Sequence, residues 1–214
     1  MGESFQEIQG YIYRAFQLMK QKNFTEAESI LKTKLDTLGD GGDKTELALL
    51  FSTLGVMEKY RGDQKAAWRH YEKAEKLLPD DPALKIISAR LLIDAFAQYD
   101  TAIKKTKKIL KLAKGIPSFE HQATTTMGLA YLKKGDKKKA VQMLDKAMED
   151  NFQGILSAEN IDFNLIETFM HRNIEREKCK AYAQKALALA QKTNEEKPLQ
   201  FISKFLDSFE VTEI

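Results

Sequence analysis

Apolar residues recur along this chain at three- and four-residue spacing, the signature of helices with one buried face. The tail gives the plainest case. After Pro198 come Leu199, Phe201, Ile202, Phe205, Leu206 and Phe209, a stripe that predicts a helix over about 197–210. No apolar–polar alternation bounded by turn residues suggests a strand. Four prolines and eleven glycines are few for 214 residues and favour long helices. Ser4-x-x-Glu7, Asn23-x-x-Glu26 and Asp43-x-x-Glu46 read as capping boxes or close variants. Asp81-Pro82 places a cap before a proline at the first helical position.

The pattern repeats. Phe51-Ser52-Thr53-Leu54-Gly55 precedes Arg61-Gly62-Asp63, then Ala67, Tyr71, Ala74 and Pro79. Met127-Gly128-Leu129-Ala130-Tyr131 precedes Lys134-Gly135-Asp136, then Ala140, Leu144 and Ala147. Gly55 stands as far from Gly62 and Ala67 as Gly128 does from Gly135 and Ala140. Small residues allow two helices to approach, and large ones a turn away fill the space beside them. Ala27, Ala67, Ala102, Ala140 and Cys179, spaced by roughly 35–40 residues, therefore mark expected helix contacts.

These segments resemble the tetratricopeptide repeat, a helix–turn–helix unit of about 34 residues with large-x2-Leu-Gly-x2-Tyr, Ala-x3-Phe and Pro elements. Residues 48–81 carry the fullest copy, departing at Glu58, where the family prefers Tyr. Residues 121–154 carry a second, with Phe152 in place of Pro. The register extends to weaker copies at 8–41, 83–116 and 160–193. The resemblance implies an all-α fold: a single right-handed α-solenoid of about five hairpins with the C-terminal helix capping the last one. A single unit cannot bury its own apolar face, so neighbours stack and the ends need covers. The tail stripe could instead swing into the groove or mediate self-association.

In such stacks the first helix of each unit lines a concave groove where partners bind. Carried over by register, the lining is Ile12, Phe16 and Met19; Ser52, Val56 and Lys59; Leu84, Ile87, Leu91 and Asp94; and Thr125 and Leu129. Family members that grip a C-terminal carboxylate use Lys, Asn and Arg at positions here held by Ile12, Phe16, Val56 or Thr53, Leu84 and Ser88. That clamp is absent. A mainly apolar lining suits a partner helix or an extended peptide, so the expected function is a protein–protein interaction scaffold. The same residues could equally pack against the next repeat.

Charge changes this picture in one place. The total is +3, from 34 basic and 31 acidic residues, too near balance to indicate nucleic acid. Yet Lys104, Lys105, Lys107, Lys108, Lys111 and Lys114 follow one another with no acid between Asp100 and Glu120. Lys133, Lys134, Lys137, Lys138 and Lys139 follow in the next unit. The alternative function is polyanion binding, to nucleic acid or acidic lipid, through Lys104, Lys105, Lys108, Lys111, Lys137 and Lys138. Without interleaved aromatics or arginines, a solvated face is the plainer reading.

Nothing points to catalysis, a cofactor, a metal or a small-molecule substrate. His70, His121 and His171 fall in different repeats, with no ligand spacing to another His or Cys. There is no Gly-x-Ser-x-Gly, phosphate loop or dinucleotide fingerprint. Cys179, the single cysteine, excludes an intramolecular disulfide and is expected to be a buried thiol. No window reads as a membrane span, and Met1–Gly10 shows no basic patch followed by an apolar run, so the expected setting is cytoplasmic.

Overall fold

The structure is a computed structural model that describes residues 2–149 and 152–210. Among the described residues there is no strand, and eleven α-helices follow in order. They are α1 (Gly2–Lys20), α2 (Phe24–Leu38), α3 (Lys44–Arg61), α4 (Gln64–Leu77), α5 (Pro82–Asp94) and α6 (Tyr99–Leu112). Next come α7 (Pro117–Lys134), α8 (Lys137–Met148), α9 (Asn164–His171), α10 (Arg176–Thr193) and α11 (Glu196–Glu210). A 3-10 turn, Ala158–Asn160, precedes α9. The chain divides into two compact units, Met1–Leu91 and Leu92–Ile214.

Side-chain caps start many of these helices. Asp43 Oδ1 accepts from the backbone N–H of Thr45 at 2.8 Å and of Glu46 at 3.1 Å. Asp63, Asp81 and Asp136 do the same for Ala66, Leu84 and Lys139. Asn23 Oδ1 accepts from Glu26 N–H, while its side-chain amide donates to the Glu26 carboxylate at 2.7 Å, a variant of the capping box in which the Asn23 backbone N–H bonds instead to Leu18 O. Ser4, expected at a helix start, lies inside α1, which begins at Gly2. α3 and α7 both end at a left-handed glycine, Gly62 (φ 95°) and Gly135 (φ 97°). The next N–H then turns back to Glu58 O and Tyr131 O respectively, each at 2.9 Å.

In the first unit α1 packs on α2 and α3, and α3 on α4. Ile8, Ala15, Leu18, Leu31, Leu50, Leu54 and Met57 form its core, with Phe16, Phe24 and Phe51 against it. Gly55 is the closest approach: a Cβ there would fall on the Tyr71 ring.

In the second unit α7 packs on α6, α8 and α9, and α10 on α8, α9 and α11. Gly128 is the counterpart of Gly55. A Cβ there would stand 2.7 Å from Leu165 Cδ2 and 2.9 Å from Met143 Cβ. All five small residues expected at helix contacts, Ala27, Ala67, Ala102, Ala140 and Cys179, are fully buried.

Phe152 explains its own departure from the repeat pattern. Its φ is 61°, which proline, fixed near −65°, cannot adopt. That backbone turns the ring inward, edge-on to His121 at 5.3 Å and Tyr182 at 5.2 Å. α11 then covers the last hairpin. Ile202 and Phe209 are buried, and Phe163 meets Phe201 and Phe205 edge-on at 5.1 and 5.4 Å.

Candidate interaction surfaces

In the first unit, Val56, Lys59 and Tyr60 of α3, Tyr71 of α4, and Ile87 and Arg90 of α5 line a pocket of about 370 Å³. Helical spacing builds it. Residues 56, 59 and 60 share one face of α3, while Leu54 and Met57 turn into the core. Residues 87 and 90 share a face of α5 in the same way. Gly55 admits the Tyr71 ring to the back of the pocket. Burial pushes the Tyr71 hydroxyl up to about 12, so it stays protonated. Tyr60, by contrast, is 70% exposed at the rim.

Three of the residues expected to bind, Val56, Lys59 and Ile87, thus meet around one pocket. Ile12 and Phe16 are half-buried and pack on the core of the first unit. The Ser52 hydroxyl donates to Leu49 O at 2.9 Å. Met19, Leu84, Leu91, Thr125 and Leu129 are buried, so as placed here they pack and present no open surface. Asp94 holds an ion pair with Lys133 at 2.7 Å. Tyr60, Arg90 and Tyr71 were missed in the sequence. Their signal was the helical spacing from Val56 and Ile87, which the repeat register alone does not supply.

The two lysine clusters differ. On α6, Lys104, Lys108 and Lys111 are exposed and Lys105 is half-buried. In the following unit, Lys134 pairs with Asp100 at 2.5 Å, Lys137 with Glu175 at 3.5 Å and Lys139 with Asp136 at 2.8 Å. Lys138 is exposed.

The histidines do not converge. His70 stacks on Phe51 at 6.3 Å and its Nδ1 has no hydrogen-bond partner. Burial, then the Lys73 charge, holds its pKa below the ordinary value. His171 is exposed at the end of α9. His121 sits in a buried polar cluster that nothing in the sequence announced, because its members come from separate elements. His121 Nε2 accepts from Asp162 N–H at 3.2 Å, and the Tyr182 hydroxyl donates to Asp162 O at 2.7 Å. The Asp162 carboxylate accepts from the Thr125 hydroxyl at 2.9 Å and from the N–H of Asn164, the first residue of α9, at 3.1 Å. The carboxylate orders the entry to the last hairpin. His121 also borders a second pocket of about 260 Å³, shared with Leu110, Pro117, Phe152 and Ile155 and with Glu120, Lys146 and Glu149. Cys179 is fully buried and its thiol is pushed up to about 12 by burial, a state unsuited to nucleophilic attack. Among the described residues no helix is long and apolar enough to cross a membrane.

No protein-family profile and no curated protein sequence matches the chain. Solved structures do match. The apo form of RapI is similar at a TM-score of 0.63 and 18% identity, over 96% of this chain and 85% of that one. PilW, a type IV pilus biogenesis factor, matches at 0.61 and 14% identity, over 97% and 96%. A putative kinesin light chain of Podosopora anserina with nearly identical TPR-like repeats matches at 0.61 and 15% identity, over 91% and 99%. Repeated hairpins, buried small residues at their contacts, glycines that admit a neighbouring side chain, and these likenesses lead to one conclusion: the chain has the all-α helical-repeat fold of tetratricopeptide-repeat proteins.

Proposed function

We propose that this chain is a non-catalytic protein–protein interaction scaffold, and that the pocket formed by α3, α4 and α5 takes an apolar side chain from a partner peptide or helix. The observation that carries this reading is the convergence of Val56, Ile87 and Tyr71 on one pocket beside an exposed tyrosine. An apolar depression with a few polar groups at its edge is the usual form of an anchor site. Tyrosine at a rim supplies contact area at low entropic cost. Lys59 and Arg90 at the same pocket favour an acidic residue next to the anchor.

The test is affinity capture with mass spectrometry, run in parallel on the wild type and on Val56→Gln/Ile87→Gln. Circular dichroism confirms that both are folded. A protein captured by the wild type and retained poorly by the variant, with little dependence on salt, is the expected outcome. Equal capture by two folded proteins contradicts the pocket assignment.

A further inference from the structure

The exposed side of α6 carries a row of lysines with no acid among them. Lys104, Lys107 and Lys111 fall within one narrow arc, opposite the buried Ala102, Ile103, Thr106 and Ile109. Lys114 follows in the turn after the helix. Like charges three and four residues apart destabilise a helix. Mixed-sign pairs relieve such repulsion elsewhere, as in Glu28–Lys32 and Glu72–Lys76. Among the described residues none of these four ammonium groups is in an ion pair. The later cluster is different, since Lys133, Lys134, Lys137 and Lys139 each reach a carboxylate.

A second observation lies where α6 passes into α7. Ile116, two residues beyond Lys114, is 44% exposed. Gly154 packs so closely on Pro117 that a Cβ there would stand 2.8 Å from Pro117 Cγ. That contact brings the 152–156 loop to the same edge, and the loop carries Leu156, 87% exposed. The acids nearby are Glu120, Glu149, the exposed Glu159, and Glu195, which is held by Ser157 and Ala158 beside Leu156. Glu120 accepts from Gly115 N–H at 3.1 Å, and Glu149 borders the same pocket as Lys146. Two bare aliphatic side chains thus stand beside the end of an unpaired lysine row.

We infer that this edge of the second unit docks on an anionic lipid bilayer, with the α6 lysines against the headgroups and Leu156 and Ile116 entering the interface. Lysine serves here as a point charge that needs no fixed geometry, which suits a fluid, diffuse array of headgroups. The aliphatic tips separate a bilayer from a nucleic acid. They gain from acyl chains and gain nothing from a phosphate backbone. Neither arginine nor an exposed aromatic, the usual means of reading bases, stands among the four lysines.

The test is co-sedimentation of the whole chain with vesicles of phosphatidylcholine, alone or mixed with phosphatidylserine. Binding to the anionic vesicles only, falling as salt rises, is expected. Lys104→Glu/Lys107→Glu/Lys111→Glu/Lys114→Glu, all at solvent-facing positions, should weaken it by at least about a hundredfold. Leu156→Ser should weaken it while leaving the salt slope unchanged. Leu156→Trp should gain a fluorescence component quenched by brominated lipid. Equal binding to neutral vesicles overturns the inference. So does a folded charge-reversal variant that still binds, or a fluorescence component in Leu156→Trp that lipid does not quench. Binding to duplex DNA or single-stranded RNA that the charge reversal abolishes, with no vesicle binding, assigns the face to nucleic acid and overturns it too.

Discussion

Among the described glycines Gly55 and Gly128 are the most closely approached, and each is defined by what a methyl group would strike. At Gly55 it is the buried Tyr71 ring, and at Gly128 it is Leu165 and Met143. The buried Tyr71 ring cannot yield without disturbing the helix pair, so Gly55→Ala should lower stability by about 1–3 kcal/mol in urea denaturation. An unchanged midpoint would mean that the pair is loosely packed. These positions were legible in the sequence, because glycine within a helix is costly and two glycines at matched distances from Gly62 and Gly135 pointed to contact. His70 was not legible as anything but a lone histidine. Burial holds its folded pKa below the ordinary 6.5, so the fold favours the neutral ring. The stability this contributes is complete above the unfolded value and is lost as pH falls through the folded one. The urea midpoint of the wild type should therefore drop more than that of His70→Gln between about pH 7 and pH 5. Parallel curves would contradict this.

Among the elements, the regular helices were readable and the irregular entry to the last hairpin was not. Asn23, Asp43 and Asp81 stand at their helix starts as their side chains demand, whereas Ser4 lies within α1. The segment before α9 shows no periodicity, since it is held by long-range polar contacts. Asp162 reaches Thr125, and Glu195 at the end of α10 accepts from the Ser157 hydroxyl at 2.7 Å and from Ala158 N–H at 2.9 Å. Hydrogen bonds from the Thr193 and Ser157 side chains and from Ala158 N–H draw the Glu195 carboxyl down to about 2. Its folded pKa lies below its unfolded value, so the latch is intact above about pH 4.5 and is lost as pH falls toward 2. Hydrogen exchange at Ala158–Asn160 should quicken over that window, and in Glu195→Gln it should be quick already at neutral pH. Exchange independent of both pH and substitution would remove the latch. For α11, the stripe of the tail foretold the covered face, and Phe163 supplies the aromatic partner. Phe163→Ala should cost about 3–5 kcal/mol and expose α11 to proteolysis. A resistant tail would show that α11 holds by other contacts.

At the scale of the whole molecule, near-neutral charge and even composition hide two contrasting surfaces, one in each unit. The first is apolar, and Val56, Lys59 and Ile87 could be placed on it by repeat register alone. Register gives the face of a helix but not its cover. That is why Leu91 and Leu129, at equivalent positions, turn out buried while Tyr60 and Arg90 reach the pocket. The second is basic and was visible as a run of lysines, but only ion pairing separates the neutralised cluster from the α6 face. The two surfaces differ in their response to salt: contacts in the apolar pocket should persist where contacts on α6 fade. The central claim, that the α3–α4–α5 pocket receives a partner, is tested most directly by a photo-crosslinking amino acid at position 60, with one at the equally exposed position 13 as control. A discrete adduct from position 60, absent from position 13 and abolished by Ile87→Gln in a folded protein, is the predicted result. The same adducts from both positions, or an adduct indifferent to Ile87→Gln, would contradict it.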